Sequence, residues 1–181
     1  MKKNIGSLLA LYPTPVTVIG AMVGDKPTWT LVAHVGIIGH DRVLVSLAKP
    51  HFINDVIKSQ NKLSVNLVCE EMLPEADVAG SVSGVKEDKS TLFEYSMGEA
   101  GTPMINKAPL TMECTVVDVY ETEGFESFVC TINNTYVEEA HLNENGKIDY
   151  ETLKPILFEF PTYQYLRTGD VIGKCLSFKK K

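Results

Sequence analysis

Apolar and polar residues alternate in short runs along most of the chain. Residues 42–48 (RVLVSLA) and 62–68 (KLSVNLV) alternate apolar with polar residues. That is the two-residue period of a strand with one face buried. Residues 14–22 and 28–35 are richer in β-branched side chains and flank Gly24-Asp25-Lys26-Pro27, the pattern of a hairpin. Further runs at 111–122, 127–133 and 135–141 are bounded by Glu123-Gly124 and Asn143-Glu144-Asn145-Gly146 and predict three more strands. The period changes in only two places. Ile53, Val56 and Ile57 lie at helical spacing within 50–59, and a second short helix is predicted at 73–79. Residues 80–109, rich in Gly, Ser, Pro and charge, read as a long loop with a helical turn around Leu92-Phe93. Loops of that length in small domains often carry function.

Six or more short strands with few helices predict a mainly β protein, an antiparallel barrel closed or nearly closed. Short connections argue against a doubly wound sheet, which needs crossover helices. The 181 residues contain no repeat or linker and are read as one domain over residues 1–181. A chain of this size buries roughly 70% of the surface its unfolded form exposes, enough for a core without staples.

The net charge of −6 argues against nucleic acid as a partner, although a few local cations still suffice to hold one anion. Pro13 and Pro15 interrupt the short apolar N-terminal run, and no stretch is long enough to span a bilayer. A cytoplasmic location with no membrane partner is the expectation. Cys69, Cys114, Cys130 and Cys175 are scattered without metal or redox spacing, and Cys114 and Cys130 read as buried strand residues. His34, His40, His51 and His141 show no metal spacing either, so no metal is expected.

Three polar clusters interrupt the pattern. Ser46-Leu47-Ala48-Lys49-Pro50-His51-Phe52 runs from a strand end into a helix N-terminus, where backbone amides and a cation can seat a phosphate. Residues 81–89 (SVSGVKEDK) join hydroxyls, a glycine and lysines that can serve one dianion, though without Walker spacing. Asn66 shares a strand face with Ser64, opposite Leu63, Val65 and Leu67. That face is either solvated or covered by a ligand or partner. Each cluster alone also fits an ordinary turn, loop or surface.

Their order gives them more weight. Tyr12-Pro13-x-Pro15-Val16 is followed by Trp29-Thr30-x-x-Ala33-His34 and Val45-Ser46-Leu47-x-Lys49. Leu63-Ser64-Val65-Asn66-Leu67, Ser83-Gly84-x-x-x-Asp88-Lys89 and Tyr163-x-Tyr165-x-x-x-Gly169-Asp170-x-x-Gly173 complete the series. The set, from about Leu11 to Gly173, resembles the flavin reductase-like family, which includes flavoredoxin-like electron carriers and NAD(P)H-dependent flavin reductases. The resemblance implies an FMN-binding antiparallel split β-barrel that works as a homodimer with the flavin near the subunit interface. Carried over, Thr28, Trp29, Thr30 and Leu31 edge the flavin ring. Ser46, Ala48, Lys49, His51 and Phe52 surround the ribityl phosphate with Asn66 close by, and Ser83, Gly84 and Lys89 complete the phosphate site. His34, His141 and Tyr163 or Tyr165 lie around the ring. The pattern departs from the family where Ser90 follows Asp88-Lys89 in place of an aromatic residue, and where Asp41-Arg42 replaces a proline turn.

The implied function is that of an FMN-dependent oxidoreductase, either an NAD(P)H-dependent flavin reductase or a flavoredoxin-like electron-transfer protein with a redox partner protein. The alternative is a non-catalytic flavin carrier or sensor, and a third reading puts haem or a deazaflavin in the same barrel. No Rossmann G-x-G-x-x-G is present, so a nicotinamide donor would stack in the flavin cleft. No catalytic side chain is assigned, because a flavin performs its own redox chemistry.

Overall fold

The structure is a computed structural model that describes residues 1–177. Twelve strands follow in order: β1 (Thr14–Pro15), β2 (Thr17–Val23), β3 (Lys26–Val32), β4 (Val35–Ile37), β5 (Arg42–Ala48), β6 (Lys62–Leu67), β7 (Tyr95–Met97), β8 (Pro103–Ile105), β9 (Leu110–Glu121), β10 (Phe125–Val137), β11 (Leu157–Glu159) and β12 (Gln164–Leu166). Helix α1 (Ile53–Gln60) connects β5 to β6, α2 (Leu73–Ser81) follows β6, and α3 (Tyr150–Leu153) is a single turn.

Seven strands form one antiparallel sheet in the order β3-β2-β6-β9-β10-β5-β4. Its two edges, β3 and β4, are consecutive in the chain and joined only by Ala33 and His34. The chain itself therefore curls the sheet into a barrel. Ser46 N–H donates to the His34 carbonyl at 2.9 Å where β4 meets β5. Beyond that point β3 and the end of β5 part, and the barrel is split. The fold is the split barrel implied by the resemblance.

The strand period sorts side chains into two cores. Ile19, Val45, Leu47, Leu63, Val65, Cys114, Phe128 and Cys130 fill the barrel with Ile53 and Ile57 of α1. Val16, Val18, Trp29, Met72, Ala76, Ala79 and Phe93 form a second core beneath α2. Trp29 is fully buried there, edge-on to Phe93 with ring centroids 5.6 Å apart. A side chain at Gly20 would collide with the Trp29 ring, so the residue across the hairpin must be the smallest. Burial pushes the Cys114 and Cys130 thiols up to about 12, which makes them inert packing residues.

Several details differ from the sequence expectations. Residues 127–133 and 135–141 belong largely to one strand, β10, whose register shifts between Ile132 and Asn134. A bulge there looks like a turn in the sequence. Within the expected loop of residues 80–109, β7 and β8 pair as a hairpin, and it covers the face carrying Ser64 and Asn66. Asn66 is fully buried, not solvated, and lines neither compartment of the cleft described below. Its amide donates to the Val18 carbonyl and Ser64 Oγ, and its Oδ1 accepts from Ile105 N–H and Thr111 Oγ1. A three-stranded sheet, β1-β11-β12, had no counterpart in the pattern.

Candidate functional site

The gap between the diverging strands is an elongated cleft. One wall is β3, an edge strand there, and the other is the end of β5 with the turn into α1. The central compartment, about 420 Å³, is lined by Thr28, Trp29 and Thr30, by Ala48, Pro50, His51, Phe52 and Ile53, and by Ser81, Val82, Ser83, Gly84 and Lys89. Strand β5, the N-terminus of α1 and the C-terminal end of α2 thus converge on it. A second compartment of about 330 Å³ shares Ala48 and His51. Its walls are Leu31, His34, Ser46, Phe125, Phe158, Phe160 and Tyr163, with the backbone at Gly80.

Lys89 is the buried cation of the central compartment, only 6% exposed. Its Nζ donates to the carbonyls of Trp29 (3.1 Å) and Ala79 (2.7 Å). The Trp29 carbonyl is on the unpaired edge of β3, and Ala79 is in the last turn of α2, where the helix dipole favours a cation. An ammonium has three N–H donors, so one remains for the cleft. Burial holds its pKa below the usual lysine value. His51 titrates below its ordinary value too, first through burial and then through the charge of Lys89, and is neutral at pH 7. Thr30 Oγ1 is buried in the same wall with no hydrogen-bond partner. Buried hydroxyls are normally satisfied, so an orphaned one facing a cleft marks a place where a polar ligand group fits. Gly84 lies where a Cβ would come within 3.0 Å of Phe52 and 3.5 Å of the Thr28 hydroxyl. Backbone can therefore approach a ligand closely there.

In the aromatic compartment, Tyr12 OH and His34 Nε2 share a hydrogen bond of 2.9 Å. His34 meets Phe125 edge-on at 5.8 Å, and Phe160 meets Tyr163 at 4.8 Å. Tyr163 adopts a left-handed backbone (φ 58°) and keeps its ring 67% exposed at the rim. Ser46 Oγ pairs with Ser127 Oγ at 2.8 Å on the opposite wall.

Thirteen of the residues singled out in the sequence line these two compartments: Thr28, Trp29, Thr30, Leu31, His34, Ser46, Ala48, His51, Phe52, Ser83, Gly84, Lys89 and Tyr163. Four lie elsewhere. Lys49 is held by Glu121 at 3.1 Å on the outside of the barrel, because its N–H bonds the Gly124 carbonyl and draws it toward the β9–β10 turn. Asn66 is in the buried network under the β7–β8 hairpin. His141 bonds Thr152 on an exposed turn. Tyr165 points at Asp77 of α2, its hydroxyl 2.5 Å from the carboxylate. The sequence reading missed Phe125, Phe158 and Phe160. Leu157-Phe158-Glu159-Phe160 carries its phenylalanines two apart, the spacing that puts both on one side of a strand.

Residues 9–167 match the model of the flavin reductase like domain, and the chain belongs to that family. Its members bind flavin, and the cleft, with an orphaned hydroxyl, a buried ammonium and an aromatic end, suits such a ligand. Among solved structures the chain is similar to the flavoredoxin of Methanosarcina acetivorans, at 34% identity and a TM-score of 0.92, covering 98% of this chain and 97% of that one. The flavoredoxin of Desulfovibrio vulgaris (Miyazaki F) follows at 26% identity and a TM-score of 0.91, covering 99% and 100%. An FMN-binding protein from Thermus thermophilus shares the fold at 19% identity and a TM-score of 0.80, covering 96% and 99%. No curated protein matches. No helix among the described residues is long and apolar enough to cross a membrane, and no group of three or more metal-ligating side chains is present among them.

Proposed function

We propose that the chain is an FMN-dependent oxidoreductase that holds the flavin along the split of the barrel, ring at the aromatic end and phosphate at Lys89. The observation that carries this reading is the pairing of a buried ammonium with a spare donor and a buried hydroxyl with no partner, both on one wall of a cleft in a flavin-binding family. A bound flavin supplies hydride or single-electron chemistry at its ring. The residues of this chain do the rest. Lys89, Ser83 and the backbone at Gly84 bind the phosphate, and Phe52 and the Thr28–Thr30 edge fix the ribityl chain. His34, Phe125 and Phe160 exclude water from the ring, and the Tyr12–His34 pair offers a hydrogen-bonded polar tip beside it. Neutral His51 sits between the compartments without adding a second cation against Lys89.

An NAD(P)H-dependent flavin reductase needs one open ring face for the nicotinamide. The packing of Phe158, Phe160 and Tyr163 over the aromatic compartment favours a second reading, a flavoredoxin-like carrier that exchanges electrons with a partner protein. Homodimerisation belongs to the proposal. Ile37 (87% exposed) and Ile38 beside β4 are apolar surface that a second copy would cover, and Leu8, Leu9 and Leu11 of the N-terminal segment are exposed as well. The absorption spectrum of the purified protein is the first test, with two flavin bands, in the near-UV and the blue, expected at about equimolar content. An intense Soret band would replace flavin by haem. Anaerobic addition of NADH and NADPH then separates the readings: bleaching within a turnover time identifies a reductase, and an unchanged spectrum identifies a carrier.

A further inference from the structure

The aromatic compartment holds a polar pair that binding a flat ring does not by itself require. His34 stands in the two-residue link between β3 and β4, and its carbonyl accepts from Ser46 N–H at 2.9 Å, which fixes its backbone. Its ring meets Phe125 edge-on at 5.8 Å and Phe160 at 6.2 Å, and Tyr12 stacks on Phe160 at 6.2 Å. Segments far apart in the chain thus hold one imidazole in place. Nε2 shares a hydrogen bond with the Tyr12 hydroxyl, while Nδ1 makes none to any described residue. A hydroxyl can donate to Nε2 of a neutral ring and accept from it once the ring is protonated, so the contact survives a change of charge. The other titratable groups around His34 are Tyr12, Tyr163 and His51. His51 is held below its ordinary value by burial and by the charge of Lys89. Phe125 and Phe160 bring no charge, and no carboxylate lines the compartment. Within it, the negative charge that would favour an imidazolium can come only from a ligand.

We infer that His34 takes up one proton when the bound flavin is reduced, and so stabilises the reduced state against the oxidised one. The inference rests on the reading of the cleft as a flavin site with its ring at the aromatic end. Adding a hydride, or two electrons and one proton, to a neutral flavin ring leaves one negative charge on it. The electrons come from an external two-electron donor such as a reduced nicotinamide. A second proton, from solvent, goes to His34 Nε2, and the Tyr12 hydroxyl turns from donor to acceptor. Two electrons and two protons have then entered, and the imidazolium balances the charge of the ring. His34 is the group that changes charge, and Tyr12 is the positioning residue that keeps its partner in both states.

The test is the midpoint potential of the FMN-loaded full chain between pH 6.5 and 8, unaltered and as His34→Gln, which keeps a polar group against Tyr12. Each proton that enters with two electrons contributes about 30 mV per pH unit. The unaltered protein should therefore show about 60 mV per pH unit and the variant about 30. At pH 7 the variant should bind reduced FMN about tenfold more weakly relative to oxidised FMN, a midpoint lower by about 30 mV. Oxidised FMN should bind both proteins within about twofold, as a merely structural role for His34 would not allow. Histidine NMR of the unaltered protein reads the proton directly and decides the matter even where the variant fails to fold. His34 should be neutral with oxidised FMN and charged with reduced FMN at pH 7. Equal slopes in the two proteins, or one charge state of His34 throughout, overturns the inference. If the unaltered protein binds no flavin, the flavin reading itself fails, and the inference with it.

Discussion

Two of the molecule's buried charges, Glu113 and Lys89, are held in opposite ways. Glu113 of β9 is fully buried on the outer face of the barrel under the β7–β8 hairpin, with donors on both oxygens: the N–H groups of Ala100 and Thr102, Thr102 Oγ1, Asn134 Nδ2 and Tyr136 OH. Burial pushes its pKa up, but these donors outweigh it and hold the group below the usual carboxylate value. Lys89 has only two carbonyls, burial lowers its pKa, and one donor is free toward the cleft. Burial alone therefore does not mark a functional charge. The unused hydrogen-bonding capacity does: Glu113 is closed and holds a hairpin, while Lys89 is open and awaits a ligand.

The largest expected effect breaks the closed charge. Glu113→Gln turns an acceptor-only group into one that presents N–H to N–H donors, and should cost about 3 kcal/mol of unfolding free energy. Chemical denaturation measures it, and flavin affinity per folded molecule should stay unchanged. Lys89→Ala should do the reverse. Loss of a charge-assisted contact worth roughly 1.5–3 kcal/mol raises the FMN dissociation constant about tenfold to 150-fold. Riboflavin, which lacks the phosphate, should be nearly indifferent in fluorescence titrations. An equal loss for both ligands would move Lys89 to the side of Glu113.

Smaller effects sharpen the contrast. Thr30→Val removes a hydroxyl that has no protein partner, so stability should hold or rise, while FMN binding weakens about twofold to tenfold. Lys89 and His51 both titrate below their ordinary values in the free protein, and a bound dianion raises both. Binding thus takes up protons, and FMN affinity should fall as the pH rises from 7 toward 10, with riboflavin flat. Cys175→Ser, at an exposed position outside the cleft, should alter neither flavin affinity nor reduction.

Most of the fold was legible because its strands are short apolar and β-branched runs set off by turn residues; β5, which buries one face and alternates cleanly, keeps the bounds read from the sequence. The cleft was legible where its residues sit on strand ends and turns whose local chemistry is unusual, as at His51 and residues 83–89. It was not legible where a distant segment decides. Asn66 and Ser64 form a polar strand face in sequence, and only the β7–β8 hairpin turns them into a buried network. Lys49 reads as a phosphate ligand in the sequence, which gives no sign that the β9–β10 turn brings Glu121 to within 3.1 Å of it. Phe158 lies in, and Phe160 directly after, a three-residue strand whose partner β1 has two residues, too short for any periodicity.

The strand order also has a consequence for biosynthesis. Both rims of the sheet, β3 and β4, leave the ribosome early, while its centre, β9 and β10, comes late. Until Phe125 is made, β5 can pair only with the three residues of β4. At cellular elongation rates the stretch from Ala48 to Phe125 takes on the order of 4–15 s, and throughout that time an apolar strand waits without its main neighbour. The barrel is completed by inserting its middle into edges already present, so β10 is the segment whose delay or slow-codon pausing exposes the nascent chain longest to chaperones and to aggregation.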